Sequence, residues 1–331
     1  MPVPSSRQRP FVVDGAQYAN WSRRIFEEMR AGGVDAVHAT VGYHENFRET
    51  VDLLVAWNRR LADHADLIVK ARTVADIEAA RASGRTAILF GMQNPSPIEA
   101  DLGLLEVLHD AGLTFLQLTY NNQSLLGAGW QEYEDGGITR MGREVIAEMN
   151  RLAMVIDMSH AGERTAIEAI ERSARPVTVS HANPRWWRDT PRNVSDRVID
   201  ALAAHDGLLG LSLYPHHLAG GSACTLAEFA AMAARLAERI GPDRIGIGSD
   251  LCQDQPDSAV AWMRDGRWTF QTAANPNGPP VFPAQPAWFR SNADFPGIAA
   301  GLAATGFAPA EVEGIMGENW MAFLRRALAP G

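Results

Sequence analysis

The sequence predicts an α/β protein of the (β/α)8 barrel class. Short apolar runs alternate with helix-like stretches along most of the 331 residues, and this alternation is typical of βα units that build a parallel sheet. About eight such runs occur, which is the number that closes a barrel of this type. The length suits a single barrel domain over residues 1–331.

The predicted strands are brief and mostly built from Val, Ile, Leu and Phe. In chain order they cover residues 11–13, 36–41, 86–90, 115–119, 154–157, 176–179, 208–213 and 245–248. Apolar residues at helical spacing predict a helix over 142–152. Thr225 stands three residues before Glu228, which predicts a capping box for a helix over 229–240 that Gly241-Pro242 ends.

A long segment after the last strand has a different composition. Residues 252–296 are rich in Pro, Asn and Gly, with aromatic residues at Trp262, Trp268, Phe270, Trp288 and Phe289. An irregular segment at this position would lie over the barrel mouth, so we expect a lid-like loop. The alternative is that its aromatic side chains form a satellite core or an oligomer contact.

Composition and charge exclude several classes of protein. With 30 basic and 39 acidic residues, the net charge of −9 comes without a basic cluster, so nucleic acid is not an expected partner. Cys224 and Cys252 are too few for a disulfide framework and fit no CxxC pattern. The sequence contains neither a secretion signal nor a membrane-length apolar run. We therefore expect a cytoplasmic protein with no membrane partner.

Two of the apolar runs end in the same dipeptide, Ser159-His160 and Ser180-His181, and a third ends in Asp250. Barrel enzymes keep their chemistry at the carboxyl ends of the strands. Two imidazoles and a carboxylate converging there suit zinc or a similar divalent ion. The sequence thus predicts a metal site.

The order of several short motifs carries a resemblance to a known family. The motifs lie at residues 142–152, 156–160, 176–181, 191–196, 246–250 and 317–320. With these motifs the chain resembles the membrane (renal) dipeptidase family of zinc metallopeptidases. The resemblance implies a distorted TIM-like (β/α)8 barrel of the metallo-dependent hydrolase type around a two-metal centre.

Four residues match the functional positions of that family. By resemblance, His160 and His181 are ligands of the second metal, and Asp250 is the catalytic aspartate that handles protons. Arg192 falls on the arginine that grips the substrate carboxylate, a group that a guanidinium binds well in a bidentate manner.

The other half of the family's site is altered. Ala16 and Tyr18 stand where the resemblance places a His-x-Asp pair of first-metal ligands, and Gln93 stands where it places a bridging glutamate. Tyr120 replaces a substrate-facing histidine. Because a neutral amide lacks the charge that holds two divalent ions close together, we expect one ion, zinc, on His160 and His181. The Gln93 oxygen, Asp250 or water would complete its coordination.

The substituted side chains have two interpretations. Tyr18, Tyr120 and Gln93 can donate hydrogen bonds into space that a metal would otherwise occupy, and would then bind substrate. Alternatively, these side chains only fill the space that the missing ligands and metal leave. His38 and Cys252 are within reach of the mouth, but each is more simply explained by packing.

A pair of histidines, His216-His217, follows the seventh run. Because neighbouring residues on a strand point to opposite faces, we expect at most one of them to face the site.

These residues predict a dipeptidase-family hydrolase. Its substrate would be a small amide or dipeptide-like molecule with a free carboxylate, and its site a remodelled mononuclear one. The alternatives are a non-peptidase barrel enzyme, namely a lyase, an isomerase or a hydrolase of a methylated amino acid or betaine-pathway compound, and a metal-free carboxylate-binding protein. The resemblance also allows a homodimer. The apolar stretch 312–328, with Trp320 and Phe323, is expected to pack on the barrel rather than at a dimer contact.

Overall fold

The computed structural model describes residues 9–267 and 281–329. Within these ranges nine strands pair side by side, always in parallel. In chain order the strands are β1 (Val13–Gln17), β2 (Ala36–Gly42), β3 (Ile68–Lys70), β4 (Thr86–Met92), β5 (Leu113–Gln117), β6 (Val155–Asp157), β7 (Thr178–Ala182), β8 (Leu208–Leu211) and β9 (Ile245–Ile247).

Eight of these strands close into a barrel. The sheet runs in the order β2-β1-β9-β8-β7-β6-β5-β4, and β2 also pairs with β4. The strand β3 pairs only with the first half of β4, at Thr86–Ile88, and lies beside the barrel. The predicted (β/α)8 barrel is therefore confirmed, with one short extra strand that the sequence did not predict.

The helices surround the barrel and follow the strands in alternation. Those in the described ranges are α1 (Arg23–Gly32), α2 (Phe47–Asp63), α3 (Val74–Ala82), α4 (Leu102–Asp110), α5 (Arg140–Arg151), α6 (Glu163–Arg172), α7 (Asp196–Ala204), α8 (Leu226–Ile240), α9 (Asp257–Asp265), α10 (Phe295–Ala304), α11 (Pro309–Glu313) and α12 (Asn319–Ala327). The predicted capping box is present, because Thr225 accepts from the backbone N–H of Glu228 and the Glu228 side chain accepts from Thr225. In the described part of the chain, no helix combines the length and apolar character needed to cross a bilayer.

The strand bounds differ from the predicted ones where the barrel interior is polar. β1 begins at Val13 and runs to Gln17, later than the predicted 11–13, because buried Asp14 and Gln17 belong to the strand. β7 extends through Ser180 and His181 to Ala182. An apolar pattern misses such positions because their side chains are buried against other polar groups instead of in the apolar core.

The carboxyl-terminal helix packs on the barrel, as predicted. Trp320 of α12 is fully buried and donates from Nε1 to the carbonyl of Ile247 at 2.8 Å. A Cβ added at Gly15 or Gly246 would lie 2.2 Å or 2.4 Å from atoms of the Trp320 ring. The indole therefore occupies space that side chains on two strands would otherwise fill.

Of the segment 252–296 the structure describes residues 252–267 and 281–296, and these parts are only partly irregular. They contain α9, a one-turn 3-10 helix at Asn292–Asp294 and the beginning of α10. Phe289 is fully buried, and Trp288 packs on Phe229 at 5.5 Å, so these two aromatic residues belong to the core. Trp268 and Phe270 lie outside the described residues.

Candidate active site

A pocket of about 320 Å3 opens at the carboxyl ends of the barrel strands. Five residues predicted for the site line it, namely Gln93, Tyr120, His160, Arg192 and Asp250. They follow β4, β5, β6, β7 and β9 in turn. The parallel barrel therefore brings together side chains that are far apart in the sequence.

The hydrogen bonds of His160 fix which ring nitrogen carries the proton. Nδ1 of His160 lies 2.8 Å from Oδ1 of Asn121, and the same oxygen accepts from Nε1 of Trp130 at 2.7 Å. An indole N–H can only donate, so the Asn121 atom is an acceptor and Nδ1 of His160 must donate to it. Nε2 of His160 therefore carries a lone pair, which accepts a hydrogen bond from Nη2 of Arg192 at 3.0 Å.

His181 reaches the same state through a different partner. Its Nδ1 lies 2.7 Å from Oγ of Ser180, and that hydroxyl donates to Oδ2 of Asp157 at 2.5 Å. Because the Ser180 hydroxyl has only one hydrogen, Nδ1 of His181 must be the donor to it. Nε2 of His181 therefore also bears a lone pair, and it lies 3.1 Å from Nε2 of His160.

Asp157 accepts hydrogen bonds from the serines that precede the two histidines, and it thereby fixes their positions. The carboxylate is fully buried and accepts from Gln117 and from the backbone and hydroxyl groups of both Ser159 and Ser180. A carboxylate behind the ligand-bearing histidines is a common second layer in metal sites, where it fixes the orientation of the rings.

The two histidines fit one metal ion. Burial keeps the pKa of His160 and of His181 well below the usual value, and the Arg192 guanidinium lowers both further, so the rings are neutral, as ligands must be. A tetrahedral zinc ion with bonds of about 2.0–2.1 Å separates two ligand nitrogens by roughly 3.3 Å, close to the distance between the two Nε2 atoms.

A second ion does not fit the residues present. Within residues 9–267 and 281–329, no group of three or more His, Cys, Asp or Glu side chains could hold a metal ion. This finding also limits the first ion to the two histidines among ligands of these types. Ala16 has no ligand atom, and the Gln93 amide donates to Oγ1 of Thr40 at 2.8 Å. The two-metal centre that the family resemblance implies is therefore not rebuilt by other side chains in these ranges.

Arg192 is buried directly beside the histidines. Nη2 donates to Nε2 of His160 at 3.0 Å and to the carbonyl of His181 at 3.1 Å, while Nη1 donates to the carbonyl of Ser159. Burial lowers the pKa of Arg192, although nearby Asp250 opposes this. The guanidinium is thus a positive charge at the pocket wall, held by backbone carbonyls.

Asp250 has a left-handed backbone conformation and a carboxyl with a raised pKa. Its φ of +54° lies in the left-handed region, which Asp tolerates better than most residues. Burial raises the pKa of its carboxyl to about 7, although Arg192 lowers it. A carboxylate with this pKa, at the pocket wall, can accept a proton near neutral pH.

The three neutral residues predicted to bind substrate are placed differently. Gln93 and Tyr120 line the pocket, and the Tyr120 ring lies 4.2 Å from the His160 ring. Tyr18 is not among the lining residues. It packs edge to face on Tyr43 at 4.8 Å, and Tyr43 packs on Tyr120 at 4.9 Å.

The expectation for His216 and His217 is wrong. Both line the pocket, because they lie in a 3-10 turn at Pro215–His217 and not on a strand, so the alternation of strand faces does not apply. His217 is buried and its Nδ1 lies 2.7 Å from Oγ of Ser212.

His38 and Cys252 are absent from the pocket lining. His38 bonds the carbonyl of Gly15 through Nδ1 at 2.7 Å and stacks on Phe115 at 4.2 Å. The Cys252 thiol is 3.6 Å from the carbonyl of Asp250. Both contacts agree with packing roles.

Sequence reasoning missed the supporting residues Asp157, Asn121 and Trp130. For Asp157 a signal existed, since a carboxylate interrupts the apolar run Val155-Ile156. Asn121 and Trp130 lie in an irregular segment after β5, and no local pattern connects them with His160.

Comparison with known proteins confirms the predicted family. The family model described as membrane dipeptidase (peptidase family M19) matches residues 18–261. The chain therefore belongs to the membrane dipeptidase family. Since this is a metallopeptidase family, it implies a divalent metal.

Curated relatives are dipeptidases of fungi. Dipeptidase tcpJ of Claviceps purpurea is 26% identical over 294 residues, which are 88% of this chain and 61% of the relative. Dipeptidase aclJ of Aspergillus oryzae is 28% identical over 214 residues, which are 63% of this chain and 51% of the relative. The matched regions thus span about half to three fifths of these relatives.

Solved structures share the fold over nearly the whole chain. An amidohydrolase from Pseudomonas aeruginosa has a TM-score of 0.91 at 35% identity, covering 96% of this chain and 97% of that one. A metallo peptidase from Rhodobacter sphaeroides, liganded with a phosphinate mimic of the dipeptide L-Ala-D-Ala, has a TM-score of 0.77 at 19% identity, covering 96% and 99%.

Proposed function

We propose that the protein is a metal-dependent hydrolase that cleaves a small dipeptide-like amide with a free carboxylate. The carrying observation is the pocket lined by the neutral imidazole of His160, the buried guanidinium of Arg192 and the carboxyl of Asp250 with its pKa of about 7. The second neutral imidazole, that of His181, is fully buried and absent from the pocket lining, and its Nε2 lies 3.1 Å from Nε2 of His160. The family and the dipeptide mimic bound to the Rhodobacter sphaeroides relative support the substrate class.

His160 and His181 would hold a single divalent ion, which we infer to be zinc, through their Nε2 atoms. Imidazole nitrogens in this tautomer suit zinc well. When bound, the ion supplies Lewis-acid polarisation of the scissile carbonyl. The Gln93 oxygen or water would complete the coordination, and Asn121 and Ser180 keep the two rings oriented.

Arg192 would bind the substrate carboxylate. Its Nη2 must give up the hydrogen bond to Nε2 of His160 when that nitrogen holds an ion. The released N–H can then meet an anionic oxygen in the pocket. Because the bonds to the carbonyls of Ser159 and His181 remain, the guanidinium stays in place during this exchange.

Asp250 would act as the general base. It faces the same pocket as Arg192, and a pKa near 7 leaves much of it ionised at neutral pH. It can accept the proton of the attacking water and pass it to the leaving amine.

Tyr120, whose ring lies 4.2 Å from that of His160, and Gln93 would contact the substrate from the pocket lining. We retain Tyr18 as a substrate-binding candidate, acting through the ring of Tyr43. The residues 252–296 would form the lid, within a single domain over residues 1–331. We further propose a cytoplasmic location and a homodimer.

A substrate panel tests this function. Zinc-loaded protein is assayed with dipeptides and with the same dipeptides as C-terminal carboxamides. Removal of the carboxylate should lower kcat/KM by about 10- to 150-fold, since a charge-assisted pair is worth roughly 1.5–3 kcal/mol. Arg192→Gln should abolish this preference. If no dipeptide is hydrolysed, the dipeptidase proposal fails and the binding or lyase alternatives take its place.

A further inference from the structure

A second polar cavity lies at the opposite end of the barrel. It measures about 130 Å3 and is formed where the chain enters β2 and β4, with Asp35 and Thr86 in its wall. Four arginines also line it, namely Arg9, Arg30, Arg81 and Arg85. We propose that this cavity is a binding site for a small oxyanion, phosphate or a phosphomonoester, separate from the proposed active site.

Arg81 is the centre of the argument. Its side chain is only 7% exposed, and Nε lies 3.9 Å from Oδ1 of Asp35. Its Nη2 atom is buried without a hydrogen-bond partner among the described residues. The guanidinium also packs over the ring of Phe11, at 4.0 Å from its centroid. A buried, unpaired guanidinium N–H costs free energy, so this donor beside the cavity points to an acceptor that the protein itself does not supply.

The single carboxylate of the cavity is already engaged. Asp35 accepts two hydrogen bonds from Arg9, at 2.7 and 2.8 Å, and one from the backbone N–H of Val12 at 2.9 Å. Arg9 and Asp35 therefore form a bidentate pair whose charges cancel. Arg81 has only a distant share in that carboxylate.

Arg30 and Arg85 are the other two arginines of the cavity wall. Within the described ranges neither makes an ion pair within 4.0 Å. Arg30 donates to the carbonyl of Asp66, and Arg85 contacts the carbonyl of Ala65 at 3.4 Å. The cavity lining thus has four arginines and one carboxylate, an excess of positive charge in a chain whose net charge is −9.

Stabilisation of helix ends does not account for the cluster. Arg30 and Arg81 lie in the last turns of α1 and α3, where a positive charge is favourable. That effect concerns two of the four arginines and leaves Nη2 of Arg81 unpaired. A dianion would offset most of this excess charge and accept several N–H bonds. The cavity volume of about 130 Å3 leaves room for a group of the size of phosphate.

Thermal unfolding of the full chain in inorganic phosphate tests the site, against sodium chloride at equal ionic strength. A saturable rise in Tm is expected. Arg85→Gln, in a half-buried side chain, should weaken the apparent Kd about tenfold, and Arg81→Met should weaken it more. Arg48→Gln, which loses only an exposed pair with Asp52, should respond like the wild type.

Two further measurements identify the form of the phosphate ligand and the place where it binds. Phenyl phosphate is compared with inorganic phosphate, and tighter binding of either supports the site while identifying the free ion or a phosphomonoester as its ligand. Arg192→Gln should leave the phosphate response intact. The proposal is overturned if phosphate gives no saturable shift, if Arg81→Met and Arg85→Gln both respond like the wild type, or if only Arg192→Gln loses the response.

Discussion

At the scale of single residues, the proton positions in the pocket depend on hydroxyl and amide partners of the histidines. Ser180 donates to Asp157 and accepts from His181, so the buried carboxylate sets the tautomer of a ring that it does not touch. Asn121 does the same for His160. These contacts turn two lone pairs toward each other, an arrangement that a cation stabilises.

Ser180→Ala tests this chain of hydrogen bonds. Without the hydroxyl, Nδ1 of His181 loses its acceptor and the ring can adopt the other tautomer. Zinc affinity should fall about 10–100-fold, measured by competition with a chromophoric chelator. Ser173→Ala removes a hydroxyl that bonds Asn150 and Arg175 instead and serves as the control. Equal zinc affinity in the wild type and the Ser180 variant would remove the orienting role.

The acidity of Asp250 predicts a pH effect on stability. Its pKa of about 7 in the folded state exceeds the value of about 3.9 for an unfolded aspartate. The folded state therefore binds more protons between these two values, and this group lowers the free energy of unfolding as pH rises through them. Asn tolerates a positive φ and cannot ionise, so Asp250→Asn should remove the effect.

The measurement is urea unfolding of chelator-treated wild type and Asp250→Asn at pH 5 and pH 8. Relative to the wild type, the variant should be more stable at the higher pH. In a separate assay of the zinc-loaded proteins, the activity of the variant should be lower by about 10²–10⁴-fold. A stability difference that is the same at both pH values would show that Asp250 titrates normally.

At the scale of elements, the contacts of α9 support the proposal that this part of the chain covers the pocket. Trp262 of α9 donates to Oε1 of Glu45 at 2.9 Å and packs edge to face on His44 at 5.5 Å. Val260 and Met263 of the same helix line the pocket. The helix is therefore fastened to the loop after β2 while its other residues contact the pocket.

Trp262→Ala should loosen α9 and raise KM about five- to tenfold, since a hydrogen bond and a packed ring are lost. Trp262→Phe keeps an aromatic ring but loses the N–H donor, so its KM should lie between those of the wild type and the alanine variant. Steady-state kinetics measure both. An unchanged KM in the alanine variant would argue against a role of α9 in covering the pocket.

The elements also show what sequence patterns can and cannot predict. The βα alternation predicted the barrel, and the three-residue spacing of Thr225 and Glu228 predicted the capping box of α8. Both signals come from residues that are close together in the sequence. The end of β1 and the end of β7 were missed, since Asp14, Gln17 and His181 are polar residues buried in strands. The short β3 was missed too, because its three residues carry almost no periodic signal.

At the scale of the whole molecule, the closed barrel decides which residues meet. Sequence motifs predicted Gln93, Tyr120, His160, Arg192 and Asp250 as neighbours, and all five line one pocket. The support by Asn121 and Trp130, and the inward turn of both His216 and His217, depend on loop geometry that no local pattern encodes.

Trp320 tests how the barrel is held together. The indole fills space next to Gly15 and Gly246 on neighbouring strands, so Trp320→Ala should leave a cavity and cost about 3–5 kcal/mol in the free energy of unfolding. Urea unfolding measures this. Tyr133→Ala, at a side chain that is 99% exposed, should cost almost nothing. A loss below about 1 kcal/mol for Trp320→Ala would mean that the site collapses around the gap.

The most direct test of the rebuilt site is the number of metal ions that the chain binds. Purified protein, stripped with chelator and titrated with zinc, is analysed by elemental analysis alongside His160→Ala and His181→Ala, with circular dichroism to verify folding. We predict one tightly bound ion per chain in the wild type and none in either folded variant. Two ions per chain, or an ion retained without His160, would contradict the single-ion site.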